Sequence, residues 1–243
     1  TAAEPSGDKT TEYATLCAHF DLAPGETREV AFVLAWRFPN VQHYWTREQQ
    51  HKGESLKNHY GTCWESAWEP AAYALRNLKT LRGRSARYRD TLYSSTLPAY
   101  VIDAVSSQAS IARTNTLMVL EGKRTMAFEG CNDDAGCCPM NCTHVYNYEQ
   151  ALAHLYPDLE RSMRETDFLV NLRPDGSMSF RTPLPLRAGG NTFLPAADGQ
   201  MGTVVQLYRE WQISGDEEWL RRTWPLAKRA LEFAWKYWDA DKD

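Results

Sequence analysis

The stretch FEGCNDDAGCCPMNCTHVYNYEQALAHLYPDLERSMRETDF, residues 128–168, decides the reading of the fold. Its second half is periodic. Val145, Tyr148, Leu152, Leu155, Leu159 and Met163 recur at three- and four-residue steps, which predicts helix with one buried face. Pro157 is expected to divide that helix in two, because proline fits a first helical turn and disrupts an interior. The first half is a polar, glycine-bearing loop, and in it Glu129 stands beside Gly130 after Thr125-Met126-Ala127-Phe128.

Outward from this segment the helical period continues on both sides. Residues 71–92 are rich in Ala, Leu and Arg and free of Pro, so they predict one long helix; Pro98 then opens a second, expected to run to about Leu120. Downstream, Met201, Val204, Val205, Tyr208 and Trp211 mark another helical face. Ser214-Gly215-Asp216 should end that helix and cap the next, whose first turn holds Glu217 and Glu218. The last helix carries Trp219, Leu220, Trp224, Leu231, Trp235 and Trp238, and the tryptophans at these face positions are expected in the core. Residues 171–200, with Pro174, Asp175-Gly176, Pro183, Pro185 and Gly189-Gly190, read as loop with a short hairpin. Loops of that length in compact domains tend to be functional.

The N-terminal end differs. Residues 13–22 and 29–36 are β-favouring runs around Ala23-Pro24-Gly25-Glu26, a turn signal, and predict a hairpin. A lone hairpin is marginal in water, so these strands are expected to close a sheet whose other strands lie outside the chain. Residues 38–65 lack a period and read as a linker, which leaves 1–37, 38–65 and 66–243 as sandwich edge, linker and helical domain. The chain is therefore expected to be a piece of a longer polypeptide, and Thr1, with no initiator Met and no basic-then-apolar segment, reads as no natural start with a targeting sequence.

Composition narrows the function classes. The 243 residues carry a formal charge of −4 with both signs interspersed and no basic stripe, which argues against nucleic acid. No run of about 18 apolar residues is present to span a bilayer. Cys131, Cys137, Cys138 and Cys142 fall in a C-x5-C-C-x3-C pattern that lacks the paired C-x2-C knuckles of zinc modules, so a loop disulfide or packed thiols are expected, with no metal. Asp239, Asp241 and Asp243 alternate like the first ligands of a calcium loop, but without its glycine and terminal glutamate a solvated helix end is the expectation. The histidines outside the 128–168 segment, together with His154, show no ligand spacing. No cofactor is implied.

Several strings occur in the order of one enzyme family. FEG (128–130), NCTHVYNYEQALAHLYPDLERSMRETDF (141–168), ADGQ (197–200), YREW (208–211), SGD (214–216), WPLAKRALEF (224–233) and WDADKD (238–243) resemble the catalytic region of glycoside hydrolase family 116. LAPGETREVAFVLAWRFPN (22–40) resembles the last strands of the β-sandwich before it. The resemblance implies a mainly α fold, part of an (α/α)6 toroid preceded by the end of a β-sandwich. It also implies hydrolysis of a small-molecule β-glycoside, β-glucosides foremost, by a retaining mechanism with Glu129 as nucleophile. In such enzymes a carboxylate attacks the anomeric carbon and a second carboxyl gives and takes the proton.

The resemblance implies sugar contacts at His144, Asp198, Asn141 and Thr143. Two departures stand out. Asn141-Cys142-Thr143-His144 replaces the N-T-Y-D of the glucosylceramidase branch, putting His144 where that branch has Asp, and Ala197-Asp198 replaces its His-Asp pair. The acid/base of the family is an Asp in a downstream T-Y-D string, so the resemblance places it in the remainder of the polypeptide. A half toroid would expose helix faces and self-associate. The alternative reading of the same helices is a non-catalytic carbohydrate-binding or scaffold protein.

Overall fold

The computed structural model describes residues 15–132, 135–190 and 194–239, and of Cys131 the backbone alone. Asp133, Asp134, Asp241 and Asp243 therefore lie outside the described residues. The fold is mainly helical, with three small two-stranded antiparallel sheets. No described helix is long and apolar enough to cross a membrane.

The expected N-terminal hairpin forms only its turn. Glu26 donates its N–H to the Ala23 carbonyl at 2.9 Å and Gly25 takes φ 79°, but residues 15–39 carry no ladder. The described parts of the arms are mostly exposed, with Leu34 82% and Trp36 67% open to solvent; residues 13 and 14 lie outside the described residues. The stretch read as a linker is structured instead. It holds β1 (Asn40–Gln42), β2 (Ser55–Lys57) and a single helical turn, α1 (Tyr60–Cys63). It is pinned to the domain by the His59 N–H, which donates to Val119 at 2.7 Å.

The single long helix expected over 71–92 is two, α2 (Trp68–Arg76) and α3 (Leu78–Tyr93). The break falls at Asn77, whose backbone leaves the helical region at φ −106° and ψ 12° while its N–H and its side-chain amide both donate to the Tyr73 carbonyl, at 3.0 and 2.9 Å. The next helix, α4 (Ala99–Ser107), is also shorter than expected. Residues 117–127 are a hairpin, β3 (Leu117–Leu120) and β4 (Arg124–Ala127), turned by Gly122 and Lys123, both at positive φ. This hairpin divides the core by strand alternation. Leu117 and Ala127 pack with Tyr146, Leu152 and Met163, whereas Leu120, Met126 and Phe128 pack with Met140 and Leu184.

Beyond a two-residue pair, β5 (Gly130–Cys131) with β6 (Gly136–Cys137), three helices stand where two were expected: α5 (Thr143–Tyr146), α6 (Ala151–Leu155) and α7 (Pro157–Thr166), with Pro157 at the start of α7 as read. Tyr148, between α5 and α6, is 65% exposed and Leu155 is exposed as well, so the single buried face expected over 145–163 is interrupted. Then come α8 (Ala197–Ser214) and α9 (Glu217–Tyr237). Gly215 at φ 65° ends α8, and Asp216 caps α9 by accepting the Trp219 N–H at 2.9 Å. Phe168, Leu172, Met178, Leu207, Trp219, Ala227 and Ala230 fill the space these two helices share with the end of α7. Trp219 is buried, but Trp68, Trp224, Trp235 and Trp238 are exposed, contrary to the core role expected of the tryptophans. An apolar face fixed by periodicity does not by itself specify what covers it.

A buried ionic network joins α7 to α8. Arg164 donates to Glu160 at 3.1 Å and pairs with Asp167 at 2.8 Å, while Arg209 of α8 reaches Glu160 at 2.7 Å. Glu210 is buried beside them. Burial and the nearby Glu160 charge push its carboxyl up to about 7 against the pull of Arg209 and Arg164. Burial likewise pushes Asp167 up to about 6.

Candidate active site

Glu129 follows β4 directly, so the hairpin sets where its backbone goes. Phe128 is the anchor: buried, stacked on Tyr44 with centroids 6.1 Å apart and edge-on to Trp45 at 5.2 Å. Gly136 closes over it, and a Cβ there would come within 2.5 Å of the Phe128 ring. The Glu129 N–H faces the carbonyls of Cys137 and Cys138 at 3.2 and 3.3 Å, so the loop folds back under the carboxylate.

The carboxylate is held from two sides. Arg181 Nη2 donates to Glu129 Oε1 at 2.5 Å, and the thiols of Cys142 and Cys138 are close enough to favour the ionised carboxylate. Burial alone would raise the pKa of Glu129; the Cys142 thiol, the Arg181 guanidinium and the Cys138 thiol together bring it below the ordinary carboxylate value. The group is therefore ionised at neutral pH, as a nucleophile must be. The thiols respond in the opposite sense. The Glu129 carboxylate foremost raises Cys138, and burial foremost raises Cys142. Cys137, Cys138 and Cys142 are all free thiols, so none of these three takes part in the loop disulfide that was one expectation. Among the described residues no group of three His, Cys, Asp or Glu side chains is arranged to hold a metal ion.

His144 and Asp198 meet although 54 residues separate them. His144 Nδ1 lies 2.5 Å from Asp198 Oδ2. A carboxylate only accepts, so Nδ1 carries the proton and Nε2 is left to face other partners. The pair brings Asp198 below the usual carboxylate range against the upward push of desolvation. About half of each side chain is open to solvent. The approach of α8 to α5 that makes this contact depends on two glycines. A Cβ on Gly199 would sit 2.7 Å from the His144 backbone nitrogen, and one on Gly202 would sit 1.9 Å from the Asn147 side chain. Gln206 fixes the same interface by donating to the Tyr146 carbonyl at 2.9 Å. Tyr146 in turn donates its hydroxyl to the Phe128 carbonyl at 2.9 Å, linking α5 to the residue before Glu129.

Asn141 and Thr143 are buried. The Asn141 side chain accepts from the Ala127 N–H at 2.8 Å and donates to the Thr125 carbonyl at 2.9 Å, so its amide is engaged by β4. The Thr143 N–H donates to the Phe180 carbonyl at 3.0 Å. Both brace the loop. Cys138 and Asn141 take positive φ, 53° and 48°, which for residues with a Cβ stores strain of the kind found at functional sites.

Sequence reasoning missed Arg181. It lies in the proline-rich loop, 52 residues from Glu129, and only the general expectation that long loops carry function pointed there. Beside it opens a cleft of about 910 Å³ whose wall includes Trp45, Glu48, Cys138, Arg181, Thr182 and Arg187. Glu129 is not in that wall, but Cys138 and Arg181, which touch it, are. The β1–β2 segment thus supplies one side of the cleft and the 181–190 loop the other. Arg187 and Glu48 pair across it.

No curated protein matches the chain. Residues 1–81 match the family model of beta-glucosidase 2, the glycosyl-hydrolase family 116 N-terminal domain. The matched part includes Trp45 and Glu48 of the cleft, and it ends before Glu129, His144, Arg181 and Asp198. The N-terminal third of the chain is thereby similar to a glycosidase family's N-terminal domain.

Proposed function

We propose that this chain carries the nucleophile side of a retaining β-glycosidase, with β-glucosides as the first substrate class and the helices as part of an (α/α)6 toroid. The supporting observation is the Glu129 carboxylate, held ionised through Arg181 at 2.5 Å and the neighbouring thiols, beside two residues, Cys138 and Arg181, that line a cleft of about 910 Å³. In the first step a Glu129 oxygen bonds to the anomeric carbon as the bond to the aglycone oxygen breaks, and a carboxylic acid protonates the leaving oxygen. In the second step water attacks the same carbon, its proton goes to that carboxylate, and the electron pair of the ester bond returns to Glu129. The resemblance assigns the proton donor to a T-Y-D string in the remainder of the polypeptide, so the full-length polypeptide is the form to assay.

Within this reading Asp198 and His144 contact sugar hydroxyls, Asp198 as acceptor and His144 through Nε2. Asn141 and Thr143 support them from below. The test is Glu129→Gln in the full-length polypeptide, assayed with 4-nitrophenyl β-D-glucoside. The variant keeps shape and loses the attacking charge, so turnover should fall by about 10³-fold or more while the fold survives. Azide should rescue Glu129→Gly with inversion at the anomeric carbon. Turnover near that of the wild type in Glu129→Gln would reject the nucleophile and favour the binding or scaffold reading.

A further inference from the structure

We propose that Arg181 is the positioning residue of the nucleophile, fixing the Glu129 carboxylate for attack and stabilising it again as the leaving group. This inference rests on the reading of Glu129 given above. Its basis is how firmly the guanidinium itself is placed. Nη2 donates to Glu129 Oε1 at 2.5 Å, Nη1 donates to the Pro139 carbonyl at 2.9 Å, and the guanidinium carbon lies 5.1 Å from the centre of the Phe180 ring. The side chain is 17% exposed, so the ion pair is largely shielded from water. A long, flexible side chain held by two hydrogen bonds along its edge and a ring over one face loses little further freedom when substrate binds.

The backbone on either side is equally constrained. Thr143 donates its N–H to the Phe180 carbonyl at 3.0 Å, and Thr182 donates its N–H to the Met140 carbonyl at 2.9 Å. Asn171, buried at the end of the π-helical turn Asp167–Asn171 that follows α7, donates to the Thr182 hydroxyl at 2.8 Å. Residues 180–182 are therefore laid along residues 140–143, and Arg181 has one direction left to point. The loop that carries the thiols and the loop that carries the guanidinium converge on one carboxylate.

The two half-reactions make different demands on that carboxylate. Attack requires it ionised and aimed; hydrolysis of the glycosyl ester requires it to leave, with the electron pair of the ester C–O bond returning to the carboxylate oxygen. A fixed cation in a partly water-excluded site favours both the ionised ground state and the returning charge. A lysine, as a compact point charge, would supply charge without the fork that also grips Pro139.

The experiment uses the full-length polypeptide with 4-nitrophenyl β-D-glucoside. Arg181→Met should lower kcat by about a hundredfold with KM nearly unchanged, the scale of losing the alignment of a reacting group. The acid limb of kcat/KM should move to higher pH, because the guanidinium no longer favours the ionised form. Arg181→Lys should recover part of kcat, and ethylguanidinium should restore activity to Arg181→Gly. A purely structural ion pair would instead lower the melting temperature and leave the acid limb where it is in the surviving enzyme. An unmoved acid limb with near-normal kcat in Arg181→Met overturns the proposal. If Arg181→Met does not fold, failure of both Arg181→Lys activity and ethylguanidinium rescue overturns it as well. Loss of activity in Glu129→Gln with none in Arg181→Met rejects this inference alone, whereas activity retained in Glu129→Gln rejects the reading beneath it.

Discussion

Replacing Glu210 by Gln should stabilise the protein at alkaline pH and leave it nearly unchanged at acid pH. Glu210 sits buried on α8, with its Oε1 3.5 Å from Arg209 Nε but making no hydrogen bond there, so the pairing is weak against the cost of burial. The charged groups around it are Glu160 and Arg164 from α7 and Arg209 from α8. Its carboxyl rises from 4.5 to about 7, so between those pH values the folded chain holds a proton that the unfolded chain has released. A raised carboxyl favours the folded state below the unfolded value and loses that advantage as pH rises through the folded value. At about 1.4 kcal/mol per pH unit the shift corresponds to about 3 kcal/mol at pH 8. Glutamine stays neutral throughout, and Arg209 keeps Glu160 as a partner at 2.7 Å. Urea unfolding followed by circular dichroism at pH 4.5, 6 and 8 reads the difference directly. The gain of Glu210→Gln over the wild type should grow across that range. A variant less stable than the wild type by the same amount at all three pH values would refute the reasoning, since it would mean the carboxylate is paired rather than penalised.

Two further perturbations test the construction of the site. Gly199→Ala forces a Cβ within 2.5 Å of the Thr143 hydroxyl and should cost about 1–3 kcal/mol in thermal or urea unfolding; Gly83→Ala in α3, where a Cβ meets nothing, should gain about 0.5–1 kcal/mol in the same measurement. Equal effects at the two glycines would show that the α5–α8 approach is not tight. The Cys138 thiol, raised first by the neighbouring Glu129 carboxylate, should react faster with iodoacetamide at pH 8 in Glu129→Gln than in the wild type. Peptide mass spectrometry resolves it from the exposed Cys17, whose rate should not change; identical Cys138 rates would remove the thiol from the carboxylate's surroundings.

The helical half of the fold was legible because its signals are local. Pro157 opens α7, and Ser214-Gly215-Asp216 both ends α8 and caps α9, through a left-handed glycine and a side-chain acceptor that act within a few residues. The β3–β4 hairpin was not. Leu117-Met118-Val119-Leu120 is a four-residue apolar run compatible with either period, and the informative signal was the Gly122-Lys123 turn that follows it. The N-terminal arms failed for another reason: β-favouring residues specify a strand only when a ladder and a second layer exist to receive them.

The site divides in the same way. Glu129, His144 and Asp198 were named from motifs, but the His144–Asp198 contact follows from glycines that let α8 approach α5. Asn141, an amide in a motif, proved to be tied to β4 by both ends. Arg181 has no spacing to Glu129 that a linear pattern could reveal, because two loops 52 residues apart are brought together by pairing outside any regular sheet.

The most direct measurement is covalent trapping. Treating the full-length polypeptide with 2,4-dinitrophenyl 2-deoxy-2-fluoro-β-D-glucoside slows both steps through the fluorine, and the good leaving group still allows the first. Proteolysis and mass spectrometry should find the 2-fluoroglucosyl adduct on the peptide containing Glu129, as an ester to that residue, and no adduct in Glu129→Gln. An adduct on another carboxylate, such as Asp133, Asp134 or Glu149, or turnover without any trapped ester, would contradict the assignment.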